Sequence, residues 1–572
     1  MRLRALSQRI TGAYRRLASP AWDSSHLFGV SDNGIFLDPS DYSTMYQDLA
    51  GTVPITDVEQ PVALALDKSQ GLALGPELIP NGTFASDASG WQANNSGANI
   101  AQSNGTAIYE NTSDWSYVRL KPGLYLPVGS YRIQFDILDF SHTATMHIGA
   151  GVNGNNVPGS GSFAYIYHHI GGPLEIQIRP QSTGLGSITI DNISVREIKG
   201  NHAYQTTASK RPVLSALHNM WPSDTEDFRG TPPWKARASI VTTTELSPNG
   251  VSFAQKLVED SSTNATHYLY FPLVDAGNTK FSYHLKAADR RYCSIVAFNT
   301  TDGDRSRTYF DLESGSIVSG PGSIESVGNG WYKCSITALS TVPDRADLRM
   351  SANGTSEKYD GDGVSGVYVW GASAVSVELA DLAYQRVTTA TDYDSEGFPK
   401  YLRFDGAQAL ETSAIDFTAS DEMTVCAGLT KLSDASRGVV SELGSASQAA
   451  FSLNAPDGAL PRYAIFSTGT SFSVAATPNT FAAPHSAVVT GSTKISTDAN
   501  QIRVNGAQEG TSSADQGTGN YGNHKLYIGA RTASSLYFTG HIYGLTIINR
   551  LLTPIELARL ETFAASKAGI TL

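Results

Sequence analysis

Apolar and polar residues alternate strictly in many short runs of this chain, which is the period of a strand with one buried face. The clearest runs are Tyr131-Arg132-Ile133-Gln134-Phe135-Asp136-Ile137 and Leu174-Glu175-Ile176-Gln177-Ile178-Arg179. Further strands are predicted at Tyr292 to Val296, Trp331 to Ile336, Leu402 to Phe404, Met423 to Ala427, Leu526 to Ile528 and His541 to Ile548. Gly, Ser, Thr and Asn crowd the intervals, as in folds with many short strands and turns. The pattern predicts an all-β protein.

Helical spacing is confined to the two ends. Near the C-terminus, Thr553 is placed as an N-cap, Pro554 at the first helical position and Glu556 as the second half of a capping box. Leu552 and Leu557 fit a hydrophobic staple, and Leu557, Leu560 and Ala564 keep the helical period until Lys567 and Gly569 close it. At the other end, Leu3, Leu6, Ile10, Ala13 and Leu17 recur among Arg2, Arg4, Arg9, Arg15 and Arg16, which predicts an amphipathic helix over residues 1–20. So short a helix is marginal alone. The alternatives are a solvated terminus and an assembly anchor built on Leu3, Leu6, Ile10 and Leu17; the expectation is the anchor.

With 572 residues and ~150 residues per domain as a prior, the chain is expected to hold three or four domains. Three runs carry the organisation: Gly34-Ile35-Phe36-Leu37-Asp38 continuing to Leu66-Asp67-Lys68-Ser69, then Gly200-Asn201-His202-Ala203-Tyr204 to Arg211-Pro212-Val213, then Tyr401-Leu402-Arg403-Phe404-Asp405-Gly406. With the intervening residues removed, they resemble a continuous stretch of the concanavalin A-like (laminin G-like) domains of tailed-phage structural proteins of the head-spike and tail-fibre type. The ending, a strand to Ile548 followed by Asn549-Arg550-Leu551-Leu552-Thr553-Pro554-Ile555-Glu556 and a helix, is similar to that family's as well.

Two modules are set into the cuts. Residues 75–198 open with Asn81-Gly82-Thr83-Phe84 and Trp91 and close with Ile188 to Val195, which resembles a carbohydrate-binding-module jelly roll. Residues 217–380, with Asp227-Phe228, Trp234-Lys235, Trp331 and Trp370, look like a distant repeat of the same plan, and the segment Leu246 to Asp260 resembles modules of phage spikes and fibres. The expected division is an anchor (1–20), host-domain pieces (21–74, 199–216 and 381–572) and two inserted jelly rolls (75–198 and 217–380). Ile35 to Leu37 are expected to add a strand to the host from far upstream.

Composition narrows the function. Lys and Arg number 41 against 53 Asp and Glu, a net charge of -12, which argues against general nucleic-acid binding. No apolar run approaches the ~18 residues of a membrane span, and the first residues lack the apolar core of a secretory signal. The three cysteines, Cys293, Cys334 and Cys426, lack metal-ligand spacing. They read as small apolar strand residues, with a Cys293–Cys334 disulfide as the alternative if their strands are neighbours.

Catalytic signatures are missing. Retaining glycoside hydrolysis needs two carboxyl groups ~5 Å apart, yet Glu411, Asp421, Glu422 and Asp434 are separated by turn residues. His168 and His169 point to opposite faces of a strand and are poorly placed to share a metal. Asp302-Gly303-Asp304 and Asp360-Gly361-Asp362-Gly363 admit Ca²⁺ but read better as turns. No metal and no cofactor is expected.

Sugar binding needs exposed flat aromatic rings. The candidates are Trp115, Tyr109, Tyr117, Tyr165 and Tyr167, the last two in the alternating row Phe163, Tyr165, Tyr167. The competing reading puts that row, and Trp91, Trp331 and Trp370, in the core. The resemblance implies a non-enzymatic fibre or spike: assembled in the host cytoplasm into a virion, homo-oligomeric, attached to other virion proteins through its N-terminus, and adhering to host surface polysaccharide. A ligand-free architectural part and a polysaccharide-degrading enzyme with accessory modules are the alternatives.

Overall fold

The computed structural model describes residues 22–120, 126–150, 155–171, 175–272, 278–299, 305–337, 345–445, 448–458 and 460–572. Residues 1–20, with the anchor positions Leu3, Leu6, Ile10 and Leu17, lie outside the described residues. Three antiparallel β-sandwiches make up the molecule, each with its own core.

The host sandwich faces one nine-stranded sheet against another among the described residues. The first sheet joins strands from all three runs: Gln60–Pro61 beside Val213–Ser215, beside Tyr401–Asp405, beside Thr539–Ile548, with Gly34–Leu37 also on that last strand. Ile35 stands opposite Ile547 and Leu37 opposite Leu545; Val213 stands opposite Arg403. One core therefore holds Ile35, Leu37, Ala203, Leu214, Phe404, Val425 and Ile547, whose burial ties together segments hundreds of residues apart. The C-terminal helix, Pro554–Ala568, carries the predicted capping box and ends at Gly569 in the left-handed conformation. Its Leu560, Ala564 and Ala568 pack on the outer side of this sheet against Tyr401, Cys426 and Tyr543. The approach is close enough to need a glycine: a Cβ on Gly428 would lie 2.9 Å from the Ala564 carbonyl oxygen.

Both inserts leave the host through hydrogen-bonded stems. At the first, the buried Asp67 carboxylate accepts the N–H groups of Phe36 (2.8 Å), Ser69 (2.8 Å) and Asn201 (2.7 Å). The Asn201 side chain donates to the Gly34 carbonyl at 2.6 Å, and His202 accepts the Asp67 N–H at 2.9 Å. Within the insert, Leu74–Glu77 pairs with the last strand, Gly186–Ile198, so its two ends meet. At the second stem, Gln385 accepts the N–H groups of His218 (2.7 Å) and Asn219 (3.0 Å) and donates to the Ala216 carbonyl (2.7 Å). Ends held this close let a whole domain replace a surface loop without parting the host strands.

The first insert packs a six-stranded sheet, centred on Gly129–His142 and Gly186–Ile198, on a five-stranded one. The second packs two six-stranded sheets, Trp234–Ala236 to Ser316–Ser319 and Ala238–Leu246 to Ser323–Gly328. In both, the last strand of the insert lies inside its sheet rather than at an edge. Cys293 and Cys334 lie on facing sheets of the second insert, in one core, and both remain free thiols, as does the buried Cys426. The disulfide alternative is corrected on that ground.

Candidate functional site

In the first insert most of the predicted aromatics turn inward. Tyr109 is fully buried and donates its hydroxyl to the Ser116 carbonyl at 2.7 Å. Tyr165 and Tyr167 are buried in the same core, and Phe163, half-buried, stacks on Phe135. Tyr109, Tyr165 and Tyr167 are thereby corrected as ligand contacts, since a ring inside the core has no face left for a sugar. Tyr117 is half-buried. Trp115 alone reaches solvent, 54 % exposed, on a turn where its backbone takes a positive φ of 61°. Trp91, Trp331 and Trp370 are core residues.

The second insert carries an aromatic and charged array outside the candidates named from the sequence. The strands Trp234–Ala236, Tyr268–Pro272, Arg345–Ser351, Tyr292–Phe298 and Arg305–Asp311 are neighbours in that order. Their inner face, Leu269, Phe271, Ile295, Ala346, Leu348 and Phe310, fills the core. By the two-residue period, the intervening residues share the outer face. One cross-strand row there runs Trp234, Tyr270, Asp347, Val296, Arg307.

Trp234, 40 % exposed, stacks on Tyr270 at 5.6 Å with 19° between the rings, and Tyr270 lies 5.8 Å from Tyr268. The Arg345 guanidinium sits over Tyr270 at 4.2 Å and over Tyr268 at 5.2 Å. Arg345 also donates two bonds to the fully buried Asp347, at 2.6 and 2.8 Å. Asp347 accepts from Arg349 at 2.5 and 2.9 Å, and Arg349 reaches Glu357 at 2.5 Å. Arg307 Nε lies 2.9 Å from Glu357 Oε1. Arginine and carboxylate thus alternate in a line of five charges beside a shelf of three rings. The hydrogen bonds it donates to Asp347 hold the Arg345 guanidinium above its already high ordinary pKa, so it is a permanent cation.

Such a face can bind a sugar: the exposed Trp234 ring, backed by Tyr270, takes the apolar C–H side of a pyranose, and the fixed polar groups beside it take its hydroxyls. The sequence carries the strand period of this face but not its assembly. Arg345-Ala346-Asp347-Leu348-Arg349-Met350 alternates as strictly as any run in the chain, but with charges at the outer positions, and Tyr268-Leu269-Tyr270-Phe271 marks a strand whose two faces are both in use.

The other candidate chemistry resolves into structural roles. Glu411 pairs with Lys525, Glu422 with Lys494 and Asp434 with Lys431, while Asp421 accepts the Ser496 N–H. Asp362 accepts the N–H groups of Val364 and Ser365 in a turn of its own, and Asp302 to Asp304 lie outside the described residues. Among the described residues no group of three or more His, Cys, Asp or Glu side chains is placed to hold a metal ion. His168 is buried with its Nδ1 2.8 Å from Ser130 Oγ, and burial pushes its pKa down to about 3. No helix among the described residues is long and apolar enough to cross a membrane.

Residues 404–558 match the family model described as the concanavalin A-like lectin/glucanases superfamily. No curated protein matches the sequence. Among solved structures, the chain is similar to the CBM40 of Ruminococcus gnavus IT-sialidase bound to α2,6 sialyllactose (13 % identity, 28 % of this chain, 96 % of that one, TM-score 0.22). It is also similar to the CBM22-1-CBM22-2 tandem of Paenibacillus barcinonensis Xyn10C (11 % identity, 53 % and 98 %, TM-score 0.20) and to mouse laminin α1 domains LG4-5 (12 % identity, 54 % and 95 %, TM-score 0.23). None of these three likenesses bears on what this chain binds. The match takes in the host strands after Phe404 and the first turn of the C-terminal helix, and the host domain has a concanavalin A-like, laminin G-like fold.

Proposed function

We propose that this chain is a non-enzymatic glycan-adhesion protein serving as a fibre or spike of a tailed-phage virion. The observation that carries adhesion is the shelf of Trp234, Tyr270 and Tyr268 beside the alternating charges of Arg345, Asp347 and Arg349. The non-catalytic reading is supported by the pairing of the host carboxylates with lysines or turn amides. The virion role rests on the resemblance carried by the runs at Gly34, Gly200 and Tyr401. Under it, residues 1–20 attach the chain to other virion proteins, and a homo-oligomer presents several weak sites at once, which multiplies their avidity.

The test is binding of the purified chain to cells and surface polysaccharide of a susceptible host, with released sugar assayed in parallel. Saturable binding without release, weakened by Trp234→Ala, is the expected result. Release of sugar would overturn the non-enzymatic reading, and no binding by folded, assembled protein would favour a purely architectural part.

A further inference from the structure

We propose that the Trp234 face of the second insert takes a sugar that bears a carboxylate, the ring resting on the aromatic shelf and the anion meeting the arginines; this rests on the glycan-binding reading above. The charge count points to it. Among the described residues the array holds Arg307, Arg345 and Arg349 against Asp347 and Glu357, three cations to two anions. The line starts and ends in arginine. Its ends are also its open parts: the side chains of Arg345 and Arg307 are 21 % and 28 % exposed, whereas Asp347 and Glu357 are 0 % and 8 % exposed. A ligand therefore meets guanidinium first and finds the carboxylates behind.

Stability alone does not call for this arrangement. Buried ion pairs lose to desolvation much of what they gain, and well-packed apolar residues of similar volume generally do as well or better. What the buried carboxylates do is orient the guanidinium planes. Asp347 holds Arg345 through both Nε and Nη2 while the plane lies against Tyr270 and Tyr268. At the other end, Glu357 holds Arg307 in the same way, with Oε1 2.9 Å from the buried Nε. Guanidinium is the side chain whose donor geometry matches a carboxylate, two parallel N–H bonds to two oxygens. The chain's overall charge of -12 does not oppose this at close range, because ~0.15 M salt screens charges beyond about 8 Å.

Uronic and sialic acids both supply that carboxylate, and the test separates them. The full chain is titrated with polygalacturonate, with polysialate, and with each polymer after its carboxyl groups are reduced to alcohols. The expected result is at least tenfold tighter binding of one acid polymer than of its reduced form, a ratio that narrows several-fold in Arg307→Gln. Trp234→Ala should weaken acid and reduced forms alike. Because the reduced polymer changes the ligand and not the protein, the comparison stands even if Arg307→Gln fails to fold. Equal binding of acid and reduced forms, or binding of host polysaccharide with none of either acid polymer, overturns the carboxylate assignment and leaves the glycan reading standing. No binding of any polysaccharide overturns both.

Discussion

The two inserts share a plan, two packed sheets with the last strand inside its sheet, yet they use their aromatic residues in opposite ways. In the first, Tyr109, Tyr165 and Tyr167 fill the core. In the second, Leu269 and Phe271 fill the core, and Tyr268 and Tyr270 on the same strand face outward beside Trp234. Alternation in sequence gives the period of a strand but not the side that is packed. A strand with bulky residues at both parities has spent one set on folding, and the other set is what remains for binding.

The sharpest way to break this contrast is to remove one residue of each kind. Tyr109→Ala should cost about 3–5 kcal/mol, read as a large fall in the unfolding midpoint, whereas Trp234→Ala, at the surface, should stay within about 0.5 kcal/mol of the parent. Equal losses would mean that Trp234 is a core residue and the shelf a misreading. Asp347→Ala, which strands two arginines against a buried face, belongs with the large effects at about 3–5 kcal/mol.

Acid tests the stems. Burial pushes His218, at the second stem, down to about 4, and His168, where the first insert meets the host beside Tyr204 and His202, down to about 3. Above the ordinary histidine value of about 6.5 neither state binds the proton, and stability is full. Below it the unfolded chain takes protons that the folded one refuses until pH 4 or 3, so stability falls as pH falls, by roughly 1 kcal/mol per unit for each histidine. His168→Gln and His218→Gln should each flatten the fall of the unfolding midpoint between pH 6.5 and 4. An unchanged slope in both would sink the assignment.

For binding, Trp234→Ala should lower affinity for host polysaccharide about tenfold, the share of ~1–2 kcal/mol expected for part of a buried indole, while Trp115→Ala changes it less than about twofold. The reverse order would move the site to the first insert. The smallest effect is expected at Arg119 and Glu175, a half-exposed pair of the first insert 2.7 Å apart. Glu175→Gln should cost under about 1 kcal/mol, in contrast to Asp347.

Much of the fold is legible locally. The capping box at Thr553 and Glu556, the strands at Gly129–His142 and Gly186–Ile198, and the all-β class follow from near neighbours and the strand period. The candidate site is not, because its members come from separate strands of one sheet, and Arg345, Asp347 and Arg349 read in isolation are an ordinary solvated strand face. Only register places Trp234 opposite Tyr270, Tyr270 opposite Asp347, and Val296 opposite both Asp347 and Arg307.

The sequence by itself determined the strand periods, the C-terminal helix with its caps, and the runs around Gly34, Asp67, Asn201 and Tyr401 that belong to one sandwich. The tertiary structure alone decided which face of each strand is buried. Side-chain period is a property of the backbone, whereas burial depends on what the rest of the chain brings to lie against it. That decision took Tyr109, Tyr165 and Tyr167 into the core of the first insert and left Trp234 and Tyr270 on the surface of the second.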